Sequence, residues 1–222
     1  MPLDFKALLF DLDGTLLDTA PDFISALNIQ LKLHDRPPMP AAAIRSCVTN
    51  GSIGLVQAGF GITPDDPAFD AIREEYLDLY LNNIADKTCL FEGLQAVLNT
   101  CLIQQIPWGI VTNKPWKFTK PVLEKLGLIK IAATVICPDH VKQPKPDPEA
   151  MFAACAEMSI LPSDCLYVGD HRRDIEAGRA AGMRTIAAGW GYIDAGEHVE
   201  DWSADHIVEH SSHLYNLIFN HQ

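Results

Sequence analysis

Short apolar runs punctuate the chain, and each one ends in polar residues: "ALLF" (7–10), "WGIVT" (108–112), "TVIC" (134–137), "CLYVG" (165–169) and "RTIAAG" (184–189). The runs are continuous rather than alternating. That is the pattern of strands in a parallel sheet covered on both faces, where neither side of the strand meets water. Between them the apolar spacing turns helical, at 116–126, 148–158 and 172–181. Gly127 and Gly182 follow the first and last of these, where a helix closes through a left-handed residue. Strand and helix in alternation predict an α/β fold, a doubly wound parallel sheet of the Rossmann-like kind.

One stretch departs from this rhythm. From 19 to 87 no buried strand is visible, only helical periodicity broken by "RPPMP" (36–40), by Gly51 and Gly54, and by "GFGITPDDP" (59–67). Phe69, Ile72, Tyr76, Leu79 and Tyr80 fall along one face of a helix within 69–84. The pattern predicts an α-helical domain at 19–87 inserted into a core domain made of 1–18 and 88–222. The segment "HLYNLIFN" (213–220) predicts a terminal amphipathic helix covering the sheet.

Composition narrows what such a fold can meet. Lys plus Arg number 17 against 29 Asp plus Glu, a net charge of -12. Nucleic acids and anionic membranes need a basic footprint, so neither is an expected partner. A small anionic substrate remains compatible if the site is locally positive. The six cysteines (Cys47, Cys89, Cys101, Cys137, Cys155, Cys165) are scattered, without zinc spacing or a C-x-x-C pair. They predict reduced thiols and a cytoplasmic setting. No apolar run approaches the roughly 18 residues needed to span a bilayer. The tail histidines His198, His206, His210 and His213 are irregularly spaced and predict surface positions.

The chemistry sits where the apolar runs stop. Asp11 and Asp13 follow the first run directly, and at i and i+2 of an extended chain they project to the same side. Carboxyl ends of strands are where open α/β sheets bind ligands. A lone D-x-D is explained as well by a turn cap and a solvated carboxylate. "YVGDHRRDIEAG" (167–178) adds Asp170 behind a second run and Asp174 four residues later, on the same side of a helix. As many as four carboxylates are then expected in one crevice, where they repel one another. A hard divalent cation with oxygen ligands relieves this, and Mg²⁺ suits a few carboxylates with water and a substrate phosphate.

Two more strand ends add groups for an anion. Thr112 and Asn113 precede a helix entered at Pro115, so a hydroxyl and free backbone N–H groups meet at a helix N-terminus. A plain N-cap role for Thr112 explains that residue equally well. Lys145 stands between Pro144 and Pro146, ahead of a helix predicted to be capped by Asp147 with Pro148 at its first position.

These pieces, in this order, resemble the haloacid-dehalogenase-like hydrolase superfamily. Its pattern is D-x-D-G-T, a strand-end Ser or Thr, a Lys, then G-D-x-x-x-D. Here these are "DLDGT" (11–15), Thr112, Lys145 and "GDHRRD" (169–174), spanning about residues 5–190. The inserted helices are similar to the family's helical cap. Within the superfamily the chain is similar to phosphoglycolate phosphatases. It is more similar to bacterial N-acetylmuramic acid 6-phosphate phosphatases, through "LFEG" (90–93), "VTNKP" (111–115), "ICPDHVK" (136–142), "KPDPE" (145–149) and "WGY" (190–192).

The resemblance implies a Mg²⁺-dependent phosphomonoesterase acting on a small phosphorylated acid or sugar. Asp11 is implied as the nucleophile that forms an aspartyl-phosphate. Asp13 is implied as the group that protonates the leaving alkoxide and then activates water. Thr112, the Asn113 amide and Lys145 are implied to hold the phosphoryl oxygens. Mg²⁺ is implied to bind the Asp11 carboxylate, the Asp13 backbone carbonyl and Asp170, with Asp174 supporting from outside its direct contacts. An aspartate at 13 fits phosphatases and phosphomutases, whereas related dehalogenases lack it and transport ATPases carry Thr.

Other readings share some of these residues. A sugar phosphomutase differs only in how well its cap excludes water. A phosphate-binding or receiver-type signalling module also uses acidic residues, a Thr and a Lys on a doubly wound sheet. Receivers, however, place the phosphorylated Asp on a later strand and have no inserted helical segment. For a substrate bearing a second anion, Arg45, Asn50 and the amide of Gly51 are the candidates within the insert. Arg172 and Arg173 are expected at the surface.

Overall fold

The computed structural model describes residues 3–194 and 196–219. Asn220, the last residue of the predicted terminal helix, lies outside them. The chain divides into two compact units. One runs through Asp18 and comprises also Leu90–Ile193 and the chain from Glu197 onward; the other is Thr19–Cys89 with Asp194 and Gly196.

The first unit is built on six parallel strands. They are β1 (Ala7–Phe10), β4 (Trp108–Val111), β5 (Thr134–Ile136), β6 (Cys165–Gly169), β7 (Arg184–Ala188) and β8 (His206–Val208). Two shorter strands, β2 (Leu17–Asp18) and β3 (Cys89–Leu90), pair separately. The order across the main sheet is β5-β4-β1-β6-β7-β8, so successive strands run outward from β1 first on one side and then on the other. The direction reverses at β1, and the crevice this opens lies at the carboxyl ends of β1, β4 and β6.

Every residue of β1 is fully buried, as its unbroken apolar run requires. Burying Leu8, Leu9 and Phe10 is worth about 1.5–3 kcal/mol each against leaving them in water. Register is set on both sides, with Phe10 opposite Ile110 of β4 and opposite Val168 of β6. Ala7 and Leu9 share a face with Tyr167, Met151 and Ala154, under α7 (Glu149–Met158) and α8 (Arg172–Ala180). The predicted helix ends hold: α6 (Trp116–Lys125) and α8 run out before Gly127 and Gly182, whose φ angles are +72° and +81°.

Three features differ from expectation. The strand β8 extends the sheet beyond β7, although "HIV" is short, opens on a polar residue and gave no apolar run. It is fastened by Asp205, whose carboxylate accepts from the Thr185 N–H at 2.7 Å and from its hydroxyl at 3.0 Å. The helix after Lys145 begins at Glu149, one residue later than predicted. Pro148 precedes its first turn, and Asp147 still accepts from the Glu149 N–H at 2.9 Å. The terminal helix α9 (Leu214–Phe219) packs against α5 (Leu94–Ile103).

The second unit is helical, as the missing strand pattern implied: α1 (Ala20–Leu33), α2 (Ala41–Arg45), α3 (Gly51–Phe60) and α4 (Phe69–Asn82). Phe69, Tyr76 and Tyr80 are buried on the predicted face of α4, and α1 is its main partner. Asp22 in α1 is buried and accepts from the N–H groups of Lys87 and Thr88 at 2.9 and 3.1 Å, which ties the end of this unit to its beginning. None of the described helices is long and apolar enough to cross a membrane.

Candidate active site

The strand ends deliver the predicted residues to one place. Asp11 follows β1 immediately, its N–H donating to the Val168 carbonyl of β6 at 2.9 Å, so its backbone is still held by the ladder. Asp170 follows β6, and Thr112 follows β4 with its N–H on the Ile136 carbonyl at 2.9 Å. Carboxylate oxygens of Asp11, Asp170 and Asp174 all lie within 4.8 Å of one another.

Lys145 enters this cluster from the β5–α7 connection. Its side chain is 1% exposed, and its ammonium reaches Asp11 Oδ1 at 2.7 Å and Asp174 Oδ1 at 2.6 Å. It also lies 2.8 Å from the Val111 carbonyl and 2.8 Å from the Tyr167 hydroxyl. Burial opposes the charge on Lys145, but Asp11 and Asp174 outweigh it and hold the ammonium above the ordinary lysine range.

Up to four carboxylates were expected in one crevice; Asp11, Asp170 and Asp174 cluster. The Asp13 carboxylate is instead bound by Lys114, at 3.0 Å through Oδ1 and 3.2 Å through Oδ2. A buried ammonium from the β4–α6 connection attracts it more effectively than like charges would tolerate it.

Asp170 is held by two donors, the Thr15 hydroxyl at 2.8 Å and the Tyr192 N–H at 2.7 Å. Burial, with the Asp11 and Asp174 charges, holds its carboxyl well above the usual carboxylate range. Gly14, at φ +85°, and Gly191 both lie against it, and a Cβ at either position would collide with the Asp170 side chain. Asp174 accepts from Lys145 and Tyr167 through Oδ1 and from the His171 N–H through Oδ2, at 3.0 Å. Burial raises its carboxyl as well, against the pull of Lys145. The His171 ring, pushed down to about 4 by burial and by Arg173, accepts from the Arg173 N–H and caps α8.

Three carboxyl groups share one buried ammonium, with Arg173 adding a positive charge that acts on Asp174. All-oxygen donors with surplus charge fit a hard divalent cation such as Mg²⁺. The phosphate side of the site is less complete. The Thr112 hydroxyl accepts from the Lys114 N–H at 3.1 Å and thereby shapes the turn. The Asn113 side chain donates to the Lys145 carbonyl at 2.9 Å and accepts from the Lys145 N–H at 3.1 Å, clamping that residue's backbone.

Arg45 ends α2, and Asn50 and Gly51 sit at the start of α3, all within the helical unit. Arg172 pairs with Glu197 at 3.4 Å and is 43% exposed.

Sequence reading missed Tyr167, Lys114 and Thr15. Tyr167 is concealed inside an apolar run, where a buried aromatic looks like core. Only its hydroxyl betrays it: burial, then Asp174 and Asp11, hold the phenol well above its ordinary value, so it stays a donor. Tyr167→Phe leaves the ring and removes that donor, so the Val111 carbonyl and Asp174 Oδ1 each lose one of their donors and keep Lys145. A loss of about 1–2 kcal/mol in urea unfolding is expected, with the secondary structure intact. No change would mean that the hydroxyl bonds are idle.

Residues 8–188 match the haloacid dehalogenase-like hydrolase family, a span from β1 to the end of β7. The chain belongs to that family. As a haloacid dehalogenase-like hydrolase it is similar to an N-acetylmuramic acid 6-phosphate phosphatase of Pseudomonas putida, 42% identical over 213 residues, 96% of each chain. It is also similar to a phosphoglycolate phosphatase of Xanthomonas campestris, 36% identical over 210 residues, 95% of each chain. The crystal structure of a predicted phosphoglycolate phosphatase from Haemophilus somnus superposes with a TM-score of 0.83, covering 97% of this chain and 98% of the other at 23% identity. That likeness establishes the fold.

Proposed function

We propose that this hydrolase removes phosphate from a small phosphorylated acid or sugar through an aspartyl-phosphate on Asp11. The observation that carries the reading is the Lys145 ammonium, buried between Asp11 and Asp174 beside Asp170. It orients one strand-end carboxylate, Asp11, and sets a positive charge beside it.

In this reading Asp11 attacks phosphorus, the ester P–O bond breaks, and Asp13 gives the leaving oxygen its proton. Asp13 then takes a proton from water as that water displaces Asp11 from phosphorus, so free phosphate leaves and Asp11 is regenerated. Thr112, the Asn113 amide and Lys145 bind the phosphoryl oxygens. Mg²⁺, held by Asp11, Asp170 and the Asp13 carbonyl, would neutralise phosphoryl charge. Asp174 holds Lys145 in place. The helical unit is the proposed cap, and Arg45, Asn50 and Gly51 within it are the proposed readers of a second anion on the substrate. The relatives favour N-acetylmuramic acid 6-phosphate or phosphoglycolate as that substrate. The free thiols suit a reducing cytoplasm.

The test is phosphate release in Mg²⁺ buffer from both esters side by side, with glucose 6-phosphate as control and an EDTA blank. Release from one acid well above the control, lost in EDTA, is the expected result. Folded, metal-loaded protein silent on all three would overturn the reading.

A further inference from the structure

Lys114 is a lysine that the motif pattern leaves without a task. It lies on the connection from β4 to α6, two residues beyond Thr112. Its backbone is held at both ends: the N–H donates to the Thr112 hydroxyl at 3.1 Å, and the carbonyl accepts from the Thr119 hydroxyl at 3.0 Å. Its side chain is only 6% exposed, and the ammonium meets both oxygens of Asp13, which is itself 21% exposed. Fixing a lysine costs about 2 kcal/mol of rotamer freedom, and burying its charge costs more unless a partner is present. A loop lysine serving solubility would have neither cost.

We propose that Lys114 is a positioning residue for Asp13, and the proposal rests on the proton-transfer role given to Asp13 above. A free aspartate samples several staggered rotamers, and only some aim an oxygen at the attacking water. One ammonium gripping both oxygens restricts the carboxylate to a single orientation while leaving lone pairs to accept a proton. The step that depends on it is the second one. Water's O–H bond breaks toward Asp13, its oxygen bonds to phosphorus, and the Asp11–phosphorus bond breaks. Lys114 touches none of the reacting atoms; it acts through Asp13.

p-Nitrophenyl phosphate separates the two steps, because p-nitrophenolate leaves without needing a proton. With Lys114→Met, first-turnover release of p-nitrophenol is expected within about threefold of wild type. Steady-state phosphate release should fall at least about tenfold, with phosphorylated protein accumulating. Lys114→Arg, which keeps a charged fork on the carboxylate, should recover most of the steady-state rate. In an Asp13→Asn background, Lys114→Met should have almost no further effect, a result that does not depend on how well the single variant folds. Equal losses in both phases, an undiminished steady state, a raised KM with unchanged kcat, or full additivity with Asp13→Asn would each overturn the proposal. Wild-type protein that releases no p-nitrophenol from this ester would instead mark failure of the phosphatase reading itself.

Discussion

Asp11→Asn is expected to abolish turnover, by about 10⁴-fold or more, while the folded protein survives. The amide is nearly the shape of the carboxylate, and its oxygen can still accept from Lys145 Nζ, which lies 2.7 Å from Oδ1 in the wild type. What is lost is the nucleophile, because an amide oxygen is a poor attacker of phosphorus. Removing one negative charge also eases repulsion with Asp170 and Asp174, and this offsets part of the lost attraction to Lys145. Intact-protein mass after acid quench gives a second readout: a phosphoryl adduct on the wild type and none on the variant. Near-normal phosphate release by Asp11→Asn would refute the assignment of Asp11.

Lys145→Met is expected to be the most damaging change to both activity and stability. The ammonium is the shared partner of Asp11 and Asp174, and with it gone two carboxylates stand in a low-dielectric site without their cation. Breaking a buried pair from one side costs about 3–5 kcal/mol. Methionine fills the same volume as the lysine stem, so the loss reports charge rather than a cavity. Turnover should fall at least about 10³-fold, since the phosphoryl oxygens lose the cation nearest the nucleophile. Mg²⁺ should recover part of the stability in urea unfolding and none of the turnover. Activity within tenfold of wild type would show that Lys145 is a structural counterion only.

Legibility of the site followed a physical rule. Residues that must interrupt an apolar run stood out, because a carboxylate directly behind a buried strand is costly without a reason. Asp11 and Asp170 were visible for that cause, and Lys145 through the prolines on either side. Residues that serve the site from within the core were invisible. Tyr167 reads as one more apolar position of β6, and Lys114 as one more loop lysine. Asn113 was expected to offer its backbone amide to phosphate; its side chain has a second task the sequence did not show, clamping the Lys145 backbone across 32 positions of chain.

By itself the sequence determined the architecture apart from the edge strand β8: unbroken apolar runs demand a doubly covered parallel sheet, Gly127 and Gly182 permit the left-handed turns that end two helices, and the missing strand pattern between 19 and 87 leaves helices. Those are local requirements, met by neighbours along the chain. The tertiary structure decided which charge belongs to which. Asp11 and Asp174 share Lys145, while Asp13 turns to Lys114 and Asp170 to Thr15 and Tyr192. Every one of those pairings joins residues at least 29 positions apart, apart from the hydrogen bond of Tyr192 to Asp170 at 22. Carboxylates alike in sequence acquire different partners only when the sheet order sets which strand ends lie side by side.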